Sequence, residues 1–441
     1  MLGRIRVRRF IVEVALRRRY VHSVPVDPRR RLALAVGFLV ALGGLGAGAY
    51  LVIDSLGGGD EPPGPAPRVV IHEQEPVAAE DLGFPAFATK NTTRVAGLDP
   101  VADAAGVALA VFPSTGGVER PVAVSLVEDD DWPAGLAAAS LVAEPIRAPI
   151  LLTGSEEIPD LTADALAALA PVGSAKTDEK QIFTIGSATP PRGLLAERVT
   201  GPNPAEIAAE VDRLRQKLTG ADPRHILLAS SEQPAFAMPA AAWAARSGDP
   251  VLFLKREAAP EPTLDALRRH KRVPVYVLGP PSVISDSTLE AVRKVAPSAT
   301  RVGAEGPVDN AIAFARYASG SFGWDINDPG HGFVLASGSR PLDAAAAAPL
   351  SASGTWGPLL VTDDASQVPA ALRDYLLDVK PGYLGDPTRA VYNHIWVIGN
   401  QEAISVGFQS QVDELAEVVE VRSGQGAQLG PLPGTPERER P

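Results

Sequence analysis

None of the 441 residues is cysteine, so disulfides, thiolate nucleophiles and thiol-ligated metals or clusters are all excluded. Lysine is scarce, at 8 against 33 arginines, and aromatic residues make up only 5%. Several short patterns with known chemistry are also missing. There is no G-x-G-x-x-G or G-x-x-x-x-G-K-S/T to cradle phosphates, no H-E-x-x-H to hold zinc, and no G-x-S-x-G elbow. The six histidines (His22, His72, His225, His270, His331 and His394) lack ligand-like spacing, so no metal and no cofactor is expected.

Most of the chain also lacks positive charge. Residues 1–31 hold ten arginines against Glu13 and Asp27, a net of +8, while the remainder carries 31 basic and 50 acidic side chains, a net of −19. So acidic a body repels phosphate backbones, and nucleic acid is not an expected partner. Directly after the basic head, residues 32–53 form an uncharged run of 22 residues. As a helix this run would be roughly 33 Å long, matching a hydrocarbon core of about 30 Å. It predicts a single transmembrane helix, with the basic head 1–31 cytoplasmic and the body exported. Ala47-Gly48-Ala49 fits a cleavage site, which leaves a signal peptide as the alternative; the length of the apolar core favours the anchor. Residues 54–83 include G-G-G-D-E-P-P-G-P-A-P and read as an extended linker, and residues 423–441 read as a disordered tail.

Between these flanks the chain repeats itself. Arg94-Val95, Arg198-Val199 and Arg301-Val302 are 104 and 103 residues apart, and each arginine is followed six residues later by Pro100, Pro204 or Pro307. A proline fits the first helical position and the preceding Asp99, Asn203 or Gly306 fits the cap, so each repeat opens with a capped helix. Asn203 and Glu206 have the spacing of a capping box. Each repeat then supplies an apolar strand, an Ala-rich helix, a second apolar strand, a Pro-initiated helix and a third strand ending in Gly186, Gly279 or Gly399. Continuous apolar strands alternating with helices predict an α/β fold of parallel sheets covered on both faces. The boundaries expected are 84–197, 198–300 and 301–422. The Ala-rich helices offer small faces suited to close packing.

Candidate binding residues follow from position and type. Arg94, Arg198 and Arg301 recur in register and suit either a threefold basic cluster or pairing with acids at repeat junctions. Asp131, ending the run Asp129–Asp131 after a strand, and Asp343 suit a cation or sugar hydroxyls, or equally the caps of the helices that follow. Asp99 shares this capping position. Trp324 and Trp356, in loop-like surroundings, are the better sugar-stacking candidates, whereas Trp396 lies in a strand and reads as core.

Pro149-Ile150-Leu151-Leu152-Thr153, Leu342-Asp343-Ala344 through Pro349-Leu350, and Ile395-Trp396-Val397-Ile398-Gly399 with Ala403-Ile404-Ser405 resemble the type 2 cell-wall-binding repeat family, across about 330 residues. The resemblance implies three tandem Rossmann-like repeats about a pseudo-threefold axis. It also implies a bacterial surface protein attached non-covalently to a wall polymer. The family usually carries Asp-Arg-Tyr after the opening Gly, where this chain has Asp99-Pro100-Val101, Asn203-Pro204-Ala205 and Gly306-Pro307-Val308. The expected function is that of a non-catalytic, membrane-anchored envelope protein binding a cell-wall polysaccharide or another envelope protein. The alternatives are a wall-glycan hydrolase using Asp129–Asp131 and Asp343, and a purely structural scaffold.

Overall fold

The computed structural model describes residues 85–114, 120–353 and 355–421. The basic head, the transmembrane helix expected at 32–53, the linker expected at 54–83 and the expected tail at 423–441 lie outside the described residues. Among the described residues no helix is long and apolar enough to cross a membrane.

In chain order the strands are β1 (Pro85–Ala88), β2 (Thr92–Val95), β3 (Val124–Glu128), β4 (Ile150–Thr153), β5 (Ile182–Ile185), β6 (Ala196–Val199), β7 (Ile226–Ser230) and β8 (Val251–Leu254). These are followed by β9 (Val275–Leu278), β10 (Thr300–Val302), β11 (Gly332–Ser337), β12 (Leu359–Thr362), β13 (Gly382–Tyr383), β14 (His394–Ile398) and β15 (Val419–Glu420). Three larger sheets result, ordered β4-β3-β5-β6, β8-β7-β9-β10 and β12-β11-β14-β2-β1, with β13 and β15 forming a short parallel pair. Apart from β1, which runs antiparallel to β2, every pairing in the three sheets is parallel.

The Arg-Val pairs do more than precede a helix, because each forms the fourth strand of a sheet. Arg198 lies opposite Thr184, Arg301 opposite Val277 and Arg94 opposite Val397. The first two join the strand just before them in sequence. The third, Thr92–Val95, joins β14 some 300 residues later. Its attachment is reinforced by side chains of the last long helix, Val406–Ala416: Asn91 donates its backbone N–H to Asp413 at 2.7 Å, and Gln409 donates to Thr92 Oγ1 at 2.8 Å.

The strands β4, β5, β7, β8, β9 and β12 are buried along their whole length, as continuous apolar runs require. Ile150, Leu152, Phe183 and Ile185 face a core that continues into the other two sheets. Leu151, Ile182, Val124 and Leu126 face a separate layer closed by Ala105, Ala108 and Leu166. The Ala-rich helices supply the inner contacts. Ala137–Ala139, Ala240–Ala242 and Ala344–Ala348 are all buried. The approach is so close that a Cβ at Gly135 would lie 2.9 Å from the Cβ of Ala345, nearer than two side-chain carbons pack.

The opening helices are capped as expected where a side chain exists. Asp99 accepts from Ala102 N at 2.9 Å and Asn203 from Glu206 N at 3.1 Å, each meeting one of the N–H groups left free at a helix start. Glu206 returns no hydrogen bond to Asn203 among the described residues, so the expected capping box is reduced to a simple cap.

Candidate binding site

The three arginines that recur in register do not converge. They sit in three different sheets and meet three fates. Arg94 is 1% exposed: its Nε donates to Gln409 Oε1 at 2.7 Å and its Nη1 to the carbonyls of Gly399 (2.7 Å) and Asn400 (2.9 Å). Burial lowers its pKa to about 10, partly offset by Asp103. Arg301 repeats part of this pattern, donating to the Gly279 carbonyl at 2.8 Å and to Asp286 at 3.0 Å. Arg198 is exposed beside Glu210, Arg213 and Lys217. Two of the three therefore fasten a strand-end glycine to the neighbouring strand; of the two readings, the three do not form a basic cluster among the described residues, and Arg301 pairs with the acid Asp286.

Asp131 caps the helix Trp132–Ala138 by accepting from Ala134 N at 3.0 Å, and burial raises its pKa. Asp343 lies fully buried at the end of another sheet, where it shares the Arg340 guanidinium with Asp103. Arg340 Nη2 is 2.5 Å from Asp103 Oδ2 and 3.1 Å from Asp343 Oδ1, while its Nε is 2.9 Å from Asp343 Oδ2 without hydrogen-bond alignment. Two carboxylates on one cation in a dry site cannot both ionise freely. Burial pushes Asp343 up to about 6, and burial together with Asp343 raises Asp103 well above the usual carboxylate range. Asp103 belongs to the helix Pro100–Val111 and Arg340 lies just before the helix Leu342–Ala352, so this cluster joins segments 237 residues apart. It is closed to a polymer, and the expected role of Asp343 in ligand binding is corrected to one in packing.

The tryptophans exchange places. Trp324, expected at the surface, is 7% exposed and packs edge-on to Trp243 with 5.5 Å between centroids. Trp356 is 55% exposed as expected. Trp396, expected in the core, is only half-buried and lines a groove of about 550 Å³. β14 is the central strand of its sheet, paired on both sides with Trp396 opposite Val334 and Thr93, so what is open is the sheet face at the groove and not a strand edge.

That groove has the make-up of a carbohydrate site. Tyr392, His394 and Trp396 line it together with His331, Thr355 and Ser353, which combines apolar ring surface with a few hydroxyl and imidazole groups. His394 and Trp396 stand edge to face at 5.9 Å, and His394 Nε2 is 3.1 Å from Thr93 Oγ1. Burial lowers the His394 pKa, so that imidazole is uncharged at neutral pH. Val111 and Ser353 also line a smaller cavity of about 250 Å³ that contains Phe112, Arg147, Arg246 and Trp356, so the groove runs on toward the one expected tryptophan that is exposed. Of this set the sequence singled out only Trp356. Tyr392, two residues before β14, and His394 and Trp396 within it alternate with buried residues, and alternation was the available signal.

Among the described residues no group of three or more His, Asp or Glu is placed to hold a metal ion. Each of the four described histidines has a partner: His225 with Asp249, His270 with Asp212 and Asp222, His331 with Asp328, and His394 with Thr93.

Comparison with known proteins agrees with this architecture. Residues 198–289 match the family model of Cell wall binding domain 2 (CWB2). Cwp6 from Clostridium difficile is similar in structure, with 16% identity, a TM-score of 0.58 and coverage of 74% of this chain and 48% of that one. Cwp8 from Clostridium difficile is similar at 18% identity and a TM-score of 0.57, over 74% of this chain and 52% of that one. The chain thus matches about half the length of each, and at these identities the likeness is one of fold. No curated protein matches the chain in sequence. The family match covers residues 198–289, and the likeness to Cwp6 and Cwp8 extends the same fold over 74% of the chain.

Proposed function

We propose that this is a membrane-anchored bacterial envelope protein whose body binds a cell-wall polysaccharide through the groove of Tyr392, His394 and Trp396. The observation that carries the reading is the match of residues 198–289 to the cell-wall-binding model, together with an uncharged aromatic groove elsewhere in the same fold. In this reading the three sheets of like strand order are three Rossmann-like repeats, at 84–197, 198–300 and 301–422, set about a pseudo-threefold axis. The run 32–53 holds the chain in the membrane, the arginine-rich head stays cytoplasmic, and the linker lifts the body into the wall. The acidic body and the absence of the family's motif arginine argue for recognition by ring stacking and hydroxyl contacts rather than by charge pairing.

Sedimentation of the protein with isolated cell walls, before and after chemical stripping of secondary polymers, tests this. Binding should be lost on stripping. Tyr392→Ala, at a side chain 57% exposed and therefore harmless to the fold, should weaken it roughly tenfold, the scale of one stacking contact. Trp396→Ala should weaken it further. Equal binding to stripped walls would point to an envelope protein as the partner instead.

A further inference from the structure

A second cavity, of about 680 Å³, opens by the N-terminal ends of β7 and β8, and its wall includes His225, Trp243, Asp249 and Ser321. His225 directly precedes β7 and Asp249 stands two residues before β8, so two parallel neighbouring strands hold them side by side. Three donors converge on the buried Asp249 carboxylate. His225 N reaches Oδ1 at 3.0 Å, Trp243 Nε1 reaches Oδ2 at 2.8 Å, and His225 Nδ1 lies 3.0 Å from Oδ2. An acceptor so placed fixes the proton on Nδ1 and leaves Nε2 as the basic nitrogen. That nitrogen lies 3.0 Å from Ser321 Oγ.

Ser321 comes from the segment between the helix Pro307–Arg316 and β11, which is longer in the third repeat than its counterparts are in the other two. The serine stands at an exposed corner of a tight turn closed by Phe322 N to Ser319 O at 3.0 Å and Ser319 N to Phe322 O at 2.8 Å. Phe322 stacks on Tyr276 of β9 with centroids 3.6 Å apart, which pins the turn to the sheet. Gly323 adopts φ +102°, and a Cβ there would collide with the Tyr317 carbonyl oxygen, so the turn depends on this glycine.

We propose that Ser321, His225 and Asp249 form a serine hydrolase triad that cleaves carboxylic esters. Ser321 Oγ attacks the ester carbonyl carbon while His225 Nε2 takes its proton, and Asp249 holds the imidazole in orientation. The carbon–oxygen bond to the alcohol breaks and the proton passes from Nε2 to the departing alkoxide, leaving an acyl-serine. Water then attacks the acyl carbon, His225 accepts its proton and returns it to Ser321, and the carboxylic acid leaves. Arg215, Arg224 and Arg246 also line this cavity and give it positive charge that would favour a developing oxyanion. The polar lining suits an ester on a hydrophilic alcohol, such as an acylated sugar. Only that choice of alcohol rests on the wall-binding role proposed above.

The test uses the full chain with p-nitrophenyl acetate and, separately, a fluorophosphonate probe followed by peptide mass mapping. The expected results are hydrolysis above the buffer rate and a covalent adduct on Ser321. Ser321→Ala, an exposed turn position, should keep its circular dichroism and its sedimentation with cell walls, yet lose labelling and at least a hundredfold in hydrolysis. Hydrolysis by Ser321→Ala at the wild-type rate, or no labelling of Ser321 in the wild-type protein, would overturn the proposal. Neither readout requires a wall polymer, so failure of the binding role leaves this test intact.

Discussion

At the scale of single residues, burial changed the meaning of what the sequence displayed. Asp343 and Asp103 share one guanidinium in a dry site, and this has a pH signature. In the unfolded chain Asp343 ionises near 4, whereas in the fold it ionises at about 6. Between those values unfolding releases a proton, so the Asp343 contribution to stability falls as pH rises from about 4 to about 6, and Asp103, raised in the same sense, adds to the fall. The loss amounts to roughly 2–3 kcal/mol. Asp343→Asn keeps the shape, leaves Arg340 paired with Asp103, and should flatten that slope. Urea midpoints of the two proteins at pH 4, 5, 6 and 7 check it; parallel curves would show that the cluster does not titrate in this range. The sequence marked Asp343 only as a strand-end acid, because its partners Asp103 and Arg340 are 237 residues apart along the chain.

At the scale of elements, local rules were followed closely. Capping residues, N1 prolines and strand-end glycines placed the helices and strands with little error, because each depends on the few residues around it. The cap of Pro100–Val111 is the most exposed to test. Its helix packs against the helix Leu342–Ala352, so Asp99→Ala, which leaves the Ala102 N–H without its acceptor, should cost about 1 kcal/mol in urea unfolding. No change would mean that water replaces the carboxylate without loss. Elements failed to predict exposure on one sheet face: β14 has the apolar pattern of an interior strand and is one, paired with β11 and β2, yet Trp396 opens to a groove on that face.

At the scale of the whole molecule, the chain closes on itself. Its first described strands complete a sheet made otherwise of residues 332–398, and Arg94, Asn91 and Thr92 fasten them to the strand-end turn and the last long helix. A chain starting at Gly97 would leave β14 as a bare edge and Gln409 and Asp413 without partners. It should unfold at least 3 kcal/mol more easily than one starting at residue 84, a scale set by several lost buried hydrogen bonds. Equal urea midpoints would show that the closure is dispensable. The sequence by itself determined the parallel α/β character and the Ala-rich helices of the interior, since periodicity, capping and apolar content act locally and need no partner to be read. Only the tertiary structure decided which arginine would be buried, which tryptophan would face solvent, and that Ser321, His225 and Asp249 meet. Those outcomes depend on contacts between segments up to 300 residues apart, and a linear pattern carries no record of which distant segments become neighbours.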